Sequence, residues 1–388
     1  MHGLRADHLT ARCPSGIDRA MPSIPPLRTL LPFAETLLIA TAGGVIFTWI
    51  GFPAGLFSGS MLVTAVAALL GRPMAIPLPL ARVSFVLIGI LLGAVVTPET
   101  LRGVATWPLS IALLIMSALV MIVAASCYLR YVHGWEPLSA LLGASPGSMA
   151  QVMALSAEFG TNIRGIAIVQ TVRVLLVAIG LPAGLALFGP GAGGIPVGLS
   201  SANSSWVEFA ILAAAATATA VIMQRIKFPG GLLFGAMAAS AVLHGSGYLQ
   251  ATVPWWLGSA GVVVLGSVVG SRFANTTIRM LMDYFWAALG SAAVAIAVSS
   301  LFVLAVTSIL PFRVSDVVIA FAPGAQDTMM VLALALHLDP VYVGAHHLTR
   351  FLVVTFSVAL SARHLARQRG AAPANDEEKR QGDETYKD

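Results

Sequence analysis

Residues 141–177 read LLGASPGSMAQVMALSAEFGTNIRGIAIVQTVRVLLV, and residues 318–354 read VIAFAPGAQDTMMVLALALHLDPVYVGAHHLTRFLVV. Adding 177 to the first stretch carries Pro146-Gly147 onto Pro323-Gly324, Met153 onto Met330, Leu155 onto Leu332, Asn162 onto Asp339 and Arg173 onto Arg350. A helix-breaking pair and an arginine, both set in apolar runs and both present twice, predict a duplicated membrane protein with a polar centre.

The rest of the chain agrees with a bilayer as its solvent. It is 57% hydrophobic and 10% charged, whereas a soluble domain carries about 25% charged residues. Apolar runs long enough to cross a bilayer, about 20 residues each, recur along residues 30–362. They are continuous rather than alternating, which excludes an outer-membrane barrel. An all-α polytopic membrane protein follows. The net charge of +5 sits largely in the tails and short connections, a pattern that suits a bacterial inner membrane and leaves no nucleic-acid footprint. Cys13 and Cys127 have no metal or disulfide spacing. Residues 1–28 are polar and Pro-rich, without the apolar core of a signal peptide, and Met21 is an alternative start. Residues 364–388, ending NDEEKRQGDETYKD, read as a solvated disordered tail.

Two membrane repeats are expected, 29–188 and 206–363, joined by the chargeless, breaker-rich linker GPGAGGIPVGLSSANSS at 189–205. The first should hold spans at 30–50, 54–71, 80–98, 105–130 and 163–188, with a discontinuous segment at 138–160. The second should hold spans at 206–224, 230–247, 255–273, 283–310 and 340–362, with a discontinuous segment at 314–338. Further matches support the duplication: Phe52-Pro53-Ala54-Gly55 with Phe228-Pro229-Gly230-Gly231, Gly59 with Gly235, Met61 with Met237, Gly89 and Gly93 with Gly266 and Gly270, and Arg102 with Arg279. The glycines suit close helix packing better than hinges. If each discontinuous segment crosses the membrane, the repeats are parallel. If each enters and leaves by one face, each half has five full spans and the repeats are inverted. Inversion leaves only Arg102 and Arg313 as external loop arginines, so positive-inside counting favours it, with both termini cytoplasmic.

The polar residues define a candidate site. Proline and glycine should break the helices at Pro146-Gly147 and Pro323-Gly324, and the new helix starts at Ser148 and Ala325 would turn positive dipole ends toward a polar or anionic solute. Arg173 and Arg350 lie near mid-span, where charge must meet a partner or water. Gln170 sits beside Arg173, and His346 and His347 lie one turn before Arg350. The arginines fit an anion-binding pair, or a structural tie on carbonyls freed by the breaks. Asp327 fits a proton or cation site paired with Arg350 or His347, or an acid complementing a helix start. Gln151 and Thr328 are matched polar lining. Asn162 and Asp339 read as helix caps, and Trp49, Trp107, Trp206, Trp255, Trp256 and Trp286 mostly as an interfacial belt.

The doubled Pro-Gly segment, each copy followed by an apolar helix with its arginine, resembles the AbrB-like membrane protein family, over about residues 30–362. PGAQDTMMVLALALHLDP and AHHLTRFLVV in the second copy resemble the family pattern most closely, while Gln151 stands where relatives commonly carry glutamate. The resemblance implies two labels used for members, ammonia monooxygenase and regulator of gene expression. No small soluble AbrB DNA-binding domain is visible. The residues themselves favour a secondary transporter or exporter of a small solute, an anion among the candidates, with regulation of gene expression as an indirect effect. Copper chemistry would need clustered ligands, yet His337, His346 and His347 all lie in one half and adjacent histidines on a helix point apart. The expected partners are therefore the lipid bilayer and a small-molecule solute, with no metal, cofactor or direct nucleic-acid contact; the oligomeric state stays open.

Overall fold

The computed structural model describes residues 27–371 apart from 97–105, 148, 189–204, 250, 252 and 275. Ser148, Arg102, residues 1–26, residues 372–388 and nearly all of the linker lie outside the described residues. Fourteen α-helices follow among those described. In the first half these are α1 Leu27–Trp49, α2 Gly55–Leu69, α3 Leu78–Ala94, α4 Pro108–His133, α5 Pro137–Ala144, α6 Met149–Glu158 and α7 Ile163–Phe188. In the second half they are α8 Trp206–Arg225, α9 Gly231–Gly245, α10 Trp255–Gly270, α11 Ile278–Ile309, α12 Val314–Phe321, α13 Gln326–Ala335 and α14 Pro340–Ala371. The two Pro-Gly pairs fall in the gaps α5–α6 and α12–α13, so both discontinuous segments are broken where the sequence predicts.

Among the described residues seven helices are long and apolar enough to cross a membrane: α1, α4, α7, α8, α10 with the turn after it, α11 and α14. The chain is a multi-pass helical membrane protein. Three expected spans are shorter than 54–71, 80–98 and 230–247 suggest, because α2 and α9 have 15 residues and α3 has 17. Fifteen residues rise about 22 Å, less than a hydrocarbon core of about 30 Å. These helices pack inside protein, where their ends can find polar partners. The last helix runs on to Ala371, past the expected tail boundary at 364. The stretch SARHLARQ extends it well, since alanine, leucine and arginine are strong helix formers and the basic residues favour a helix C-terminus.

Helices from both halves intermix. Helices α1, α2, α3, α8, α9 and α10 form one bundle, and α4 to α7 with α11 to α14 form the other. Glycines set the first bundle's spacing. A methyl group on Gly89 or Gly93 of α3 would collide with Leu233, Ala236, Met237, Ser240 and Ala241 of α9. On Gly266 or Gly270 of α10, it would collide with Phe57, Ser60, Met61, Thr64 and Ala65 of α2. Every residue in the first set lies 176 positions after one in the second. The contacts are therefore reciprocal: each half's third helix packs on the other half's second, as in an isologous interface. The main seam between bundles is α13, whose Thr328–Leu334 are all buried against neighbours that include α2, α3 and α10.

Hydrogen bonds fix the course of each broken segment. The Asn162 N–H, at the start of α7, donates to Ser139 Oγ near the start of α5 at 3.5 Å. Further along, Gln170 Nε2 donates to Leu142 O at 2.9 Å, and Arg173 Nη1 donates to Ala144 O at 2.9 Å. Helices α5 and α7 thus run side by side in the same direction, and α6 returns antiparallel beside α7. The second half repeats this: Asp339 N–H donates to Asp316 Oδ1 at 3.2 Å, and His347 Nε2 meets Ile319 O at 3.0 Å. Each broken segment doubles back to the level where it began. Replacing Gly89 or Gly266 by alanine should lower unfolding stability in detergent by about 1–3 kcal/mol, equally at the two sites. Gly180 has open space around it, so Gly180→Ala should leave stability unchanged or raise it by up to about 1 kcal/mol.

Candidate functional site

A helix that stops inside the bilayer leaves its last carbonyls without partners and its C-terminal dipole end unneutralised. Arg173 answers this for α5: Nη1 donates to Ala144 O at 2.9 Å and Nη2 to Ser145 O at 3.0 Å. Arg350 does the same for α12, donating to Ala322 O and, at 2.8 Å, to Gly324 O. The residue one turn earlier completes each clamp. Gln170 holds Leu142 O, and His347, which occupies the matching place 177 residues later, holds Ile319 O. His347 Nδ1 accepts from Arg350 Nη2 at 2.7 Å, so its proton belongs on Nε2, facing Ile319 O. The arginines are 4% and 2% exposed. Intramembrane charge costs about 3 kcal/mol on insertion scales, and charge-assisted hydrogen bonds return about 1.5–3 kcal/mol each. Two bonds per arginine offset that cost, so tying down the breaks accounts for both residues.

Between the bundles lies a cavity of about 540 Å³, to which both breaks contribute. Of the residues expected at the site, Pro146, Gly147, Gln170, Arg173, Gly324, Asp327, His347 and Arg350 line it. The first bundle adds Phe85, Gln224, Lys227, Phe228 and Arg272, which sequence reasoning missed. Asp327 does not pair with Arg350 or His347 as expected. Those two are committed to each other and to α12 carbonyls, and Asp327 Oδ2 instead accepts from Arg272 Nη2 at 3.1 Å. Its Oδ1 accepts from the Thr328 N–H at 2.9 Å, within the first turn of α13. Four cations, Arg173, Lys227, Arg272 and Arg350, therefore face one carboxylate across the lining. The only available signal for Arg272 was its place at a span end, which also explains it as a topology charge.

Lys227 carries a signal of a different kind. Its φ is 58°, in the left-handed region, where a side chain costs about 1 kcal/mol or more. The backbone there caps α8, with Phe228 N–H donating to Met223 O at 2.9 Å and Lys227 N–H to Gln224 O at 3.0 Å. The matching residue of the first half is Gly51, φ 76°, the ordinary choice for such a cap. A lysine kept in a glycine slot at the edge of a cationic cavity is strain located at a candidate site.

Other expected site residues lie off the cavity. His346 is fully buried: Nε2 meets Ser110 Oγ at 2.8 Å, Nδ1 meets Tyr342 O at 2.8 Å, and the ring lies 4.0 Å from that of Tyr342. Trp107 packs on the same pair, so it is a core residue rather than part of a belt, while Trp49, Trp206, Trp255, Trp256 and Trp286 are exposed. Gln151 Nε2 donates to Thr355 O at 3.3 Å, away from the lining. Thr328 is buried behind Asp327, and Pro323 is buried without lining the cavity. Asn162 and Asp339 cap α7 and α14, accepting from the N–H groups of Gly165, and of Val341 and Tyr342.

Residues 56–366 match the family described as transition state regulatory protein AbrB. The chain belongs to the AbrB family. It is similar to a Bacillus subtilis (strain 168) protein named "Uncharacterized protein YhjN", 25% identical over 348 residues, covering 82% of this chain and 89% of that one. It is also similar to an Escherichia coli (strain K12) protein named "Putative regulator AbrB", 22% identical over 327 residues, covering 83% and 91%. The AbrB match spans both broken segments and both arginine clamps. Replacing Arg173 or Arg350 by glutamine should destabilise the fold by about 3 kcal/mol or more, read as a lower unfolding midpoint. Wild-type stability in either variant would show that the clamps are idle.

Proposed function

We propose that this protein is a secondary carrier of a small organic anion. The observation that carries the reading is the interbundle cavity, where two helix breaks meet and cations outnumber carboxylates four to one. Its volume suits a small molecule. Phe85, Phe228 and Phe351 supply apolar wall beside the charges. Carriers with broken helices at a repeat interface build their sites in this way, and movement of one bundle against the other alternates access.

Several features support inverted repeats. Ten crossing helices, three of them short, and two broken segments that double back give five spans and one re-entrant hairpin per half. On that count the hairpins would enter from opposite faces, and the basic connections and both termini of an inner-membrane protein would lie in the cytoplasm. Lys227 and Arg272 then belong to the cytoplasmic side, so the cavity opens inward. Transport also accommodates the regulator name of the Escherichia coli relative, since moving a metabolite changes gene expression indirectly. An oxygenase has less support. Both ring nitrogens of His346 and His347 are already engaged, and among the described residues no three His, Cys, Asp or Glu side chains converge.

Liposomes bearing the full chain should take up some members of a panel of radiolabelled small organic monoanions; no flux across the panel would overturn the reading. Lys227→Gly should keep or raise stability by about 1 kcal/mol and cut uptake about threefold or more at low salt, with the defect shrinking above about 0.1 M salt as charge is screened. Topology is checked by labelling in a background without Cys13 and Cys127. Cysteines at Tyr131 and Glu158 flank the first broken segment and should react with an impermeant maleimide from the same face. Labelling from opposite faces would mean that the segment crosses, and would remove the inverted arrangement.

A further inference from the structure

Arg272 and Asp327 belong to different bundles, Arg272 in the turn after α10 and Asp327 in the first turn of α13. Among the described residues theirs is the one ion pair joining the bundles, since Arg72–Glu35 lies within the first. Both side chains stay about one quarter exposed, at 24% and 25%, and both line the cavity. The other charged or titratable groups facing it are Lys227 from the α8–α9 turn, Arg173 from α7, and His347 and Arg350 from α14. Arg173, Arg350 and His347 are committed to the carbonyls of α5 and α12. Arg272 has five N–H donors and spends one on Asp327. It is the planar, fork-shaped cation best placed to take a carboxylate or sulfonate head.

We infer that Asp327 is an internal stand-in for the anionic head of the solute on Arg272, so that a proton on Asp327 and an anion on Arg272 enter together. The inference rests on the carrier reading and names its coupling. When Asp327 is ionised it neutralises Arg272 and ties the bundles across the cavity. A proton on Asp327 cancels that charge, and an oxyanion takes the vacated guanidinium while its apolar body lies against the phenylalanines. One proton and one monoanion cross together with no net charge. Release of both restores the ion pair.

The test uses the full chain in liposomes with radiolabelled benzenesulfonate, a permanently charged aromatic monoanion that cannot leak across as a neutral acid. Accumulation driven by an acid exterior and exchange at symmetric pH 8 are measured separately. Wild type should accumulate the probe by about tenfold or more over vesicles lacking a pH gradient. D327N should keep exchange, at a rate about tenfold above wild type, and lose accumulation. D327E should retain accumulation, and R272Q should lose both activities, with correct folding checked by size-exclusion elution. Gradient-driven accumulation persisting in D327N, or exchange that does not increase, overturns the stand-in and leaves the carrier reading intact. Exchange in wild type without any accumulation does the same. Neither exchange nor accumulation in wild type or D327N overturns the inference for organic oxyanions, and flux of the wider panel then decides the carrier reading separately.

Discussion

Everything in this molecule depends on the unpaired carbonyls left when a helix stops inside a membrane. Two such stops occur, and the guanidinium groups of Arg173 and Arg350 answer them. Without those donors α5 and α12 would leave bare C-terminal dipole ends buried inside the protein, where each unsatisfied group is costly. With them, the breaks become rigid corners. The corners hold backbone, rather than mobile side chains, against the cavity, and they leave the following helices α6 and α13 free to start beside it.

The clamps also divide labour among charges that look alike in a list. Arg173 and Arg350 are buried and tie down carbonyls, while Arg272 and Lys227, at the helix ends of the first bundle, line the cavity without such ties. The two halves contribute unequally. Asp327 faces the cavity where its counterpart is Ala150, and Lys227 stands where the first half has Gly51. A duplicated frame therefore encloses an asymmetric site.

Much of the frame was legible because membrane helices are long and apolar, and because Pro-Gly pairs break them wherever they fall. The repeat offset located the breaks and the arginines within a residue or two. Short helices were read slightly too long at their C-terminal ends, because the sequence carries no break before the closing turns in which Gly71 and Gly247 take left-handed backbone. Spacing along α14 correctly put His347 beside Arg350, yet could not show that His346, its neighbour, turns toward Ser110 and Tyr342 instead. The Arg272–Asp327 pair was out of reach for another reason: 55 residues separate the partners, and they meet only once two bundles have assembled. The left-handed backbone of Lys227 was equally hidden, although its alignment with Gly51 left a trace that the sequence could have offered.

The reciprocal glycine contacts make each half depend on the other. Neither half contains a complete bundle, because each lends its third helix to the other's second. One half alone would leave its glycine faces without the partner helix they fit, so the packing is complete only when both halves are present. Carrying both on one chain keeps them at one-to-one stoichiometry. It also frees the copies from identity: an aspartate, an arginine or a strained lysine can appear once, on one side of the axis, without its twin opposite.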